Sequence, residues 1–238
     1  MSFLKAEWRK LAFANYTIEP ELLKKFVPAG TKLDTWNGKV YISLVGFMFK
    51  NTKLLGFKIP FHSNFEEVNL RFYVKRFENG EWKRGVVFIK EIVPKKALTF
   101  VANTVYKENY ETLAMQHDWS AENNKRTVSY QWKKANKWNA IKIEASREAF
   151  EIAPNSETEF ITEHYWGYAK VNDSLTNEYE VKHTKWEAYK ILRYEIDVDF
   201  EAVYGSEFRV LNTAKPTSVM LAEGSEIAVE NKRKLQNN

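Results

Sequence analysis

Residues 65–74, FEEVNLRFYV, alternate between two kinds of side chain, and this pattern decides the fold class of the chain. Successive side chains of a β-strand point to opposite faces, so the stretch predicts a strand with one apolar and one polar face. The apolar face consists of Val68, Leu70, Phe72 and Val74, and the polar face consists of Glu67, Asn69, Arg71 and Tyr73. The apolar face predicts a contact with the core. The polar face has two interpretations, a solvent-exposed surface or the wall of a ligand pocket.

Further strands are predicted on both sides of this stretch. Residues 40–49, VYISLVGFMF, are apolar on both faces and predict a strand that is buried on both sides. Residues 71–92 predict a hairpin, because Asn79-Gly80 suits the positive φ angles of a tight turn. A second hairpin is predicted over residues 126–146, and further strands over residues 178–183, 188–197, 217–221 and 225–230.

A few short helices interrupt the predicted strands. The first begins after a cap at Thr17 and ends before Pro28, and the second covers residues 94–108. The third runs from a capping box at Ser156 to about Tyr165, and the fourth lies around Phe200 and Tyr204. Strands and helices do not alternate regularly. The sequence therefore predicts an α+β, mostly β protein with a large curled sheet or barrel, a fold that closes around a cavity.

The length and composition fit one folded domain. With 238 residues, 44% hydrophobic and 15% aromatic, the chain can fill a sizeable core. We expect a single domain over residues 1–230 and a polar, frayed C-terminal tail over residues 231–238. The first ten residues, MSFLKAEWRK, contain charge before any long apolar run, and no apolar stretch is long enough to span a membrane. These features predict a non-secreted, cytoplasmic protein without a membrane partner.

Several classes of function are excluded by residue types and spacing. The chain has no cysteine, so it has no disulfide, thiolate nucleophile or thiolate metal site. Its four histidines lie far apart in sequence, which predicts no metal site, and its scattered lysine pairs predict no nucleic-acid partner despite a net charge of +5. It contains no G-x-S-x-G, no P-loop and no G-x-G-x-x-G, so nucleotide binding and serine nucleophiles are not expected. We expect no cofactor.

Two segments carry candidate site residues. Side chains two apart on one strand face stand about 6.6 to 6.8 Å apart, so Glu67, Asn69 and Arg71 would form a row along which a small anion could lie. The second segment is residues 105–115, VYKENYETLAM, in which Tyr106 and Tyr110 are either hydroxyl donors to a ligand or ordinary packing residues.

Three motifs in a fixed order carry a resemblance to a known family. They are P-x-G-x-x-x-D at residues 28–34, F-x-E-x-N-x-R-x-Y-V at residues 65–74 and H-x-x-W at residues 183–186. With them, nearly the whole chain resembles the YqjF-like family of uncharacterised bacterial proteins, within the acetoacetate decarboxylase-like superfamily. The resemblance implies a closed mixed β-barrel with peripheral helices and an apolar interior pocket. It also implies that Glu67 is the pocket acid, which favours the pocket interpretation of the polar face.

Two departures from the superfamily pattern bear on function. Acetoacetate decarboxylases form a Schiff base through a lysine, and the resemblance aligns Tyr110 with that lysine. A phenol cannot form an imine, so the decarboxylase reaction is not expected although the fold is shared. The second departure is His164, where relatives have arginine in an E-R-Y motif, and this replaces a permanent charge with a titratable one.

The sequence leaves three functional hypotheses. The first is a small-molecule site for an organic acid or carbonyl compound, with Glu67 and Tyr110 as candidate catalytic groups and Asn69, Arg71, Tyr73 and Tyr106 as candidate ligand-binding groups. The second is a non-catalytic carrier of a lipid or hydrophobic metabolite. The third is a structural ion pair between Glu67 and Arg71 that fixes the strand register. A compact pocket with converging polar groups would favour the first, and an oligomer is compatible with each of them.

Overall fold

The computed structural model describes residues 2–236, and most of these residues lie in β-strands. The strands are β1 Leu4–Thr17, β2 Lys32–Leu33, β3 Tyr41–Leu54, β4 Phe57–Lys58, β5 Phe65–Glu78, β6 Glu81–Val93, β7 Tyr110–Thr112, β8 Ala114–Glu122, β9 Lys125–Lys134, β10 Lys137–Glu151, β11 Trp166–Lys170, β12 Leu175–His183, β13 Glu187–Asp197, β14 Ser218–Val229 and β15 Arg233–Gln236. The helices are α1 Pro20–Leu23, α2 Lys96–Val101, α3 Glu157–Thr162 and α4 Phe200–Tyr204. Short 3₁₀ turns cover Lys24–Phe26 and Ser206–Asn212, and a π turn covers Ala102–Tyr106.

Seven of the strands close into a barrel. Their order is β12-β11-β6-β5-β3-β1-β14, and β14 pairs back onto β12, where Val181 lies opposite Val229. The pairing of β11 with β6 is parallel, whereas the neighbouring pairs are antiparallel, so the barrel is mixed. This architecture, with few helices, confirms the predicted fold class.

The sheet continues beyond the barrel and covers the outer face of β5. From β14 it extends through β13, β10 and β9 to β8, and the apolar side chains of this layer pack against Leu70 and Phe72. The two layers approach so closely that a Cβ atom at Gly46 would lie 2.8 Å from the ring of Tyr130. Each residue from 67 to 74 is at most 6% exposed, so both faces of the strand are buried. The polar face therefore turns into the barrel and does not face solvent.

The hairpin predictions are confirmed, whereas seven of the described strands escaped prediction, namely β1, β2, β4, β7, β8, β11 and β15. Asn79 and Gly80 have φ angles of 53° and 85° at the turn between β5 and β6, as a tight turn of this kind requires. The N-terminal strand β1 was missed because its pairing register with β3 shifts at two places, which disrupts strict alternation of side chains. The exposed strand β8 was also missed. The two strands predicted over residues 217–230 are one continuous strand, β14.

The helix predictions are correct in position but wrong in detail. Thr17 is the last residue of β1 and caps no helix. Ser156 does cap α3, because its hydroxyl group accepts a hydrogen bond from the backbone N–H of Glu159 at 3.1 Å. This helix ends at Thr162, earlier than Tyr165, because Glu163 leaves the helical conformation. The helix predicted over residues 94–108 covers only Lys96–Val101, and the π turn over Ala102–Tyr106 follows it.

The C-terminal tail is more ordered than the sequence suggested. The expectation of a frayed tail is wrong for Arg233–Gln236, because β15 pairs with β12 and the Arg233 guanidinium donates a hydrogen bond to the buried carboxylate of Glu178 at 2.5 Å. Residues 237 and 238 of the predicted tail lie outside the described residues. Within residues 2–236, no helix is long and apolar enough to cross a membrane.

Candidate functional site

A cavity of about 300 Å³ lies inside the barrel. Its walls are mostly apolar and aromatic and include Phe47, Phe49, Phe65, Val86, Phe88 and Trp186. Its polar lining consists of Glu67, Asn69, Arg71, Glu91, Tyr106, Glu108, Tyr110, Tyr179 and a few histidine and threonine side chains. A mostly apolar pocket with a few converging polar groups is typical of small-molecule sites.

Strand β5 supplies the predicted row of polar side chains. The residues Glu67, Asn69 and Arg71 are 2%, 1% and 6% exposed and all line the cavity. The amide group of Asn69 donates a hydrogen bond to Oε1 of Glu67 at 3.0 Å, which fixes the amide orientation. The amide oxygen of Asn69 is left buried and without a hydrogen-bond partner. The row therefore contains an unused acceptor.

Arg71 is a buried cation without an ion pair. Within the described part of the chain, no carboxylate oxygen lies within 4.0 Å of its guanidinium group, whose Nε is buried and lacks a hydrogen-bond partner. The guanidinium carbon lies 5.2 Å from the ring centroid of Phe13, a cation–π contact. The hypothesis of a structural ion pair between Glu67 and Arg71 is therefore wrong.

Tyr110 is held in place by the π turn that precedes it. The side chain of Asn103, in that turn, accepts a hydrogen bond from the Tyr110 backbone N–H at 2.7 Å and donates one to its carbonyl oxygen at 2.9 Å. Strand β7 runs parallel to β6, where Tyr110 lies opposite Glu91. The Tyr110 hydroxyl group then donates a hydrogen bond to Oε2 of Glu67 at 3.2 Å. Two residues that are distant in sequence thus meet in the pocket, as the first hypothesis requires.

Three pocket residues were not found from the sequence, namely Glu91, Glu108 and Tyr179. On β6, the side chains of Val86 and Phe88 point into the cavity, and strict alternation would place Lys90 there next. A shift in the pairing register between β5 and β6 brings Glu91 into the cavity instead. Alternation could therefore not assign Glu91 to the pocket. Glu108 was not among the candidates either, and it accepts a hydrogen bond from the Tyr179 hydroxyl at 2.8 Å.

Burial disfavours the ionised form of each of the three glutamates of the pocket. Burial raises the pKa of Glu67 to about 7, against its hydrogen bonds with Asn69 and Tyr110 and the positive charge of Arg71. Burial also raises the pKa of Glu108 to about 7. The pKa of Glu91 is raised well above its ordinary value, first by burial and then by repulsion from Glu108 and Glu67. These raised pKa values favour the protonated forms of the three glutamates near neutral pH.

The two remaining predicted residues occupy different surroundings. Tyr73 is fully buried but does not line the cavity, because its hydroxyl group hydrogen-bonds with Ser43 Oγ at 2.7 Å and its ring packs on His164. Tyr106 does line the cavity, and its ring packs edge-on against Tyr179 with the centroids 5.4 Å apart. Tyr73 therefore supports the pocket wall, whereas Tyr106 forms part of it.

His164 belongs to a network at one side of the cavity. Its Nε2 atom lies 3.4 Å from a carboxylate oxygen of Asp34, and burial lowers the pKa of His164 to about 4, so the ring is neutral at neutral pH. The Asp34 carboxylate is paired instead with Arg84 at 2.6 Å and Lys75 at 2.8 Å. The positive charges beside Asp34 are thus supplied by Arg84 and Lys75.

No lysine side chain among residues 2–236 lines the cavity. Lys107, the nearest in sequence to Tyr110, is exposed and has a left-handed backbone with a φ angle of 61°. In the same described residues, no group of three or more His, Asp or Glu side chains is arranged to hold a metal ion. The chemistry available in this pocket is that of carboxyl, phenol, amide and guanidinium groups.

Comparison with known proteins agrees with this architecture. The family model DUF2071, described as an uncharacterized conserved protein, matches residues 5–226. The uncharacterized protein YqjF of Bacillus subtilis strain 168 is 27% identical over 187 residues, which are 77% of this chain and 74% of that protein.

Solved structures show the same fold at low identity. The acetoacetate decarboxylase of Legionella pneumophila has a TM-score of 0.65 and 10% identity, with 98% of this chain and 86% of that one covered. The enduracididine biosynthesis enzyme MppR, complexed with pyruvate, has a TM-score of 0.65 and 9% identity, with 98% and 91% covered. The barrel, its pocket row and the family match together show that the chain belongs to the DUF2071 family of uncharacterised, YqjF-like proteins, with an acetoacetate decarboxylase-like fold.

Proposed function

We propose that the barrel pocket binds a small organic acid or carbonyl compound and acts on it, if at all, by proton transfer rather than through a Schiff-base lysine. The observation that carries the proposal is Arg71, a cation that is 6% exposed, lines the cavity and has no ion pair within the described residues. An unpaired buried charge is costly. A ligand carboxylate would remove that cost, and the planar guanidinium can bind it through two parallel hydrogen bonds.

The other pocket groups suit a ligand of this class. Asn69 is oriented by Glu67 and can fix the position of a polar ligand group. Glu67 has a pKa of about 7, so it can serve as a general acid or base near neutral pH, with Tyr110 as the neighbouring hydroxyl donor. Tyr106 contributes an aromatic wall.

The size of the cavity favours a small ligand over a long-chain lipid. Its volume of about 300 Å³ is at the lower end of the usual range for ligand pockets. Its polar groups converge in one region of the cavity. A carrier of hydrophobic molecules would not need such groups. The complex of MppR with pyruvate also supports the proposal, because pyruvate is a small keto acid and that enzyme has the same fold.

The test is a thermal-shift screen of small carboxylic and keto acids, each paired with its neutral amide. A ligand at 100 times its dissociation constant adds about 2.7 kcal/mol to stability, which such a screen detects. We expect acids to stabilise the protein and their amides to have no effect. For each hit, Arg71→Lys should weaken binding about tenfold or more, since it keeps the charge but loses the paired hydrogen bonds.

The matched control is Arg76→Lys. Arg76 lies on the same strand outside the cavity and pairs with Glu78 at 2.7 Å, so its replacement should leave ligand affinity unchanged. Equal affinities of wild type and Arg71→Lys, or equal stabilisation by acids and amides, would exclude Arg71 as the acid-binding group.

A further inference from the structure

The pocket gathers three carboxyl groups around one arginine. Among residues 2–236, its lining includes Glu67, Glu91 and Glu108, with Arg71 as the one arginine and no lysine. Glu67 and Glu91 are 2% and 3% exposed. A carboxylic acid ligand alone would add a fourth carboxyl group to this site and no donor for the acceptors of the other three.

Three unsatisfied pocket atoms that lie on β5 and β6 indicate which ligand groups could bind there. The amide oxygen of Asn69 and Oε2 of Glu91 are buried acceptors without a hydrogen-bond partner. These two residues lie opposite each other in the β5–β6 pairing, so both free acceptors belong to one region of the cavity. Arg71 Nε is a buried donor without a partner, two residues further along β5. The site therefore offers acceptors at one end and donors at the other.

We propose that the ligand of this pocket is a zwitterion, an amino acid or related amine-bearing acid whose carboxylate binds Arg71 and whose ammonium group binds between Asn69, Glu91 and the neighbouring glutamates. This inference rests on the proposed function and specifies its ligand. An ammonium group has three N–H donors and no acceptor, so it can donate to both free acceptors and to one neighbouring glutamate. In residues 2–236 no three acidic or histidine side chains are arranged for a metal ion, so an organic cation fits the cluster better.

The strand geometry sets the separation of the two ligand charges. Asn69 and Arg71 are two residues apart on one face of β5, a distance of about 6.6 to 6.8 Å between their Cα atoms. Glu91 stands opposite Asn69. A ligand with a short methylene chain between its ammonium and carboxylate groups would span this distance, and the aromatic walls would contact that chain.

Proton exchange provides a signature of this binding mode. The groups that face the cluster are Glu67, Asn69 and Arg71 on β5, Glu91 on β6, Glu108 and Tyr110 near β7, and Tyr179 on β12. A bound ammonium group would stabilise ionised glutamates and expel their protons, so affinity should rise with pH between about 6 and 8. A simple carboxylate would raise their pKa values further, and its affinity should fall over the same range. His164 is neutral throughout this range, because its pKa is about 4.

The experiment compares amino acids with their deaminated partners by titration calorimetry. The pairs are glycine with acetate, 4-aminobutanoate with butanoate, and 6-aminohexanoate with hexanoate. We expect at least one amino acid to bind about tenfold or more tightly than its partner, as charge-assisted hydrogen bonds imply, with affinity that rises with pH. Glu91→Gln should abolish this ratio. Glu66→Gln should keep it, because Glu66 pairs with His117 and does not line the cavity.

The possible outcomes separate the two proposals. If the deaminated acids bind through Arg71 with no gain from the amino group, the zwitterion inference is wrong and the organic-acid proposal stands. If neither member of any pair binds, both fail. A gain in affinity that persists in Glu91→Gln would also overturn the inference, because the ammonium group would then bind elsewhere.

Discussion

The Tyr110 hydroxyl group donates a hydrogen bond to Oε2 of Glu67 at 3.2 Å and so joins two strands, β7 and β5, inside the barrel. A hydrogen bond to the ionised form of a carboxyl group lowers its pKa, and here it opposes the effect of burial on Glu67. Burial outweighs the opposing interactions, so the pKa of Glu67 is about 7 and Glu67 lies near its titration point at neutral pH. The hydrogen bond from Tyr110 therefore influences the protonation state of Glu67 near neutral pH.

The first prediction concerns this hydrogen bond. Tyr110→Phe should raise the pKa of Glu67 above about 7, because the carboxylate loses a donor while its burial is unchanged. It should also cost about 1 kcal/mol of stability. The titration of ¹³C-labelled glutamate carboxyl groups by NMR measures the shift. Tyr106→Phe is the control, since Tyr106 lines the same cavity but its hydroxyl group makes no hydrogen bond within the described residues. A Glu67 titration that is unchanged in Tyr110→Phe would contradict the assigned role.

The second prediction concerns the pH dependence of stability. The pKa of Glu67 is raised from 4.5 to about 7 on folding, so the native state holds a proton that the unfolded chain has lost. The associated stability is fully present below about pH 4.5 and is lost as the pH rises through 7. Glu67→Gln should remove this loss and gain stability relative to wild type between pH 5 and 8, by up to about 3 kcal/mol at roughly 1.4 kcal/mol per pKa unit.

Urea unfolding of both proteins at a series of pH values measures the difference. His164 has the opposite effect, because its pKa falls to about 4 and stability therefore rises between about pH 4 and 6.5. This contribution is common to both proteins and cancels in the comparison. Glu66→Gln, on the opposite face of β5, should follow the wild-type profile. Parallel profiles of Glu67→Gln and wild type would show that Glu67 titrates as an exposed carboxylate.

The third prediction concerns the outer face of β5. Leu70 is fully buried between the barrel and the covering layer of β9 and β10. Leu70→Ala should cost about 2 to 5 kcal/mol of unfolding free energy, because it leaves a cavity in a packed interface. Phe57→Ala, at a position that is 74% exposed, should stay within about 0.5 kcal/mol of wild type. Chemical unfolding measures both, and a Leu70→Ala cost as small as that of Phe57→Ala would mean that the strand has only one buried face.

The fourth prediction concerns imine chemistry. No lysine among the described residues lines the cavity, and Lys107 is exposed, so no amine with a depressed pKa is available to a keto acid. Incubation with acetoacetate followed by borohydride reduction should leave the intact mass unchanged relative to a sample treated without acetoacetate. A stoichiometric adduct on a single lysine would restore the Schiff-base mechanism.

The fold could be predicted from local patterns because they report directly on strand faces and turns. The alternation in residues 65–74 and the Asn79-Gly80 turn are properties of neighbouring residues, and both are present in the structure. The capping of α3 by Ser156 is equally local. Strand β1 was not predictable in this way, because two shifts in its pairing with β3 break the alternation that would have revealed it.

Alternation along residues 65–74 was enough to predict a strand with two distinct faces and to select Glu67, Asn69 and Arg71 as candidates, and the resemblance added Tyr110. The groups that these side chains contact depend on how distant strands pair. The register shift beside β5 brings Glu91 into the pocket, and the π turn directs Tyr110 towards Glu67. Among residues 2–236, barrel closure leaves Arg71 without a carboxylate partner. These contacts depend on pairing registers between distant segments, and burial then sets the charge of each group. Neither quantity is encoded in the spacing of residues along one strand.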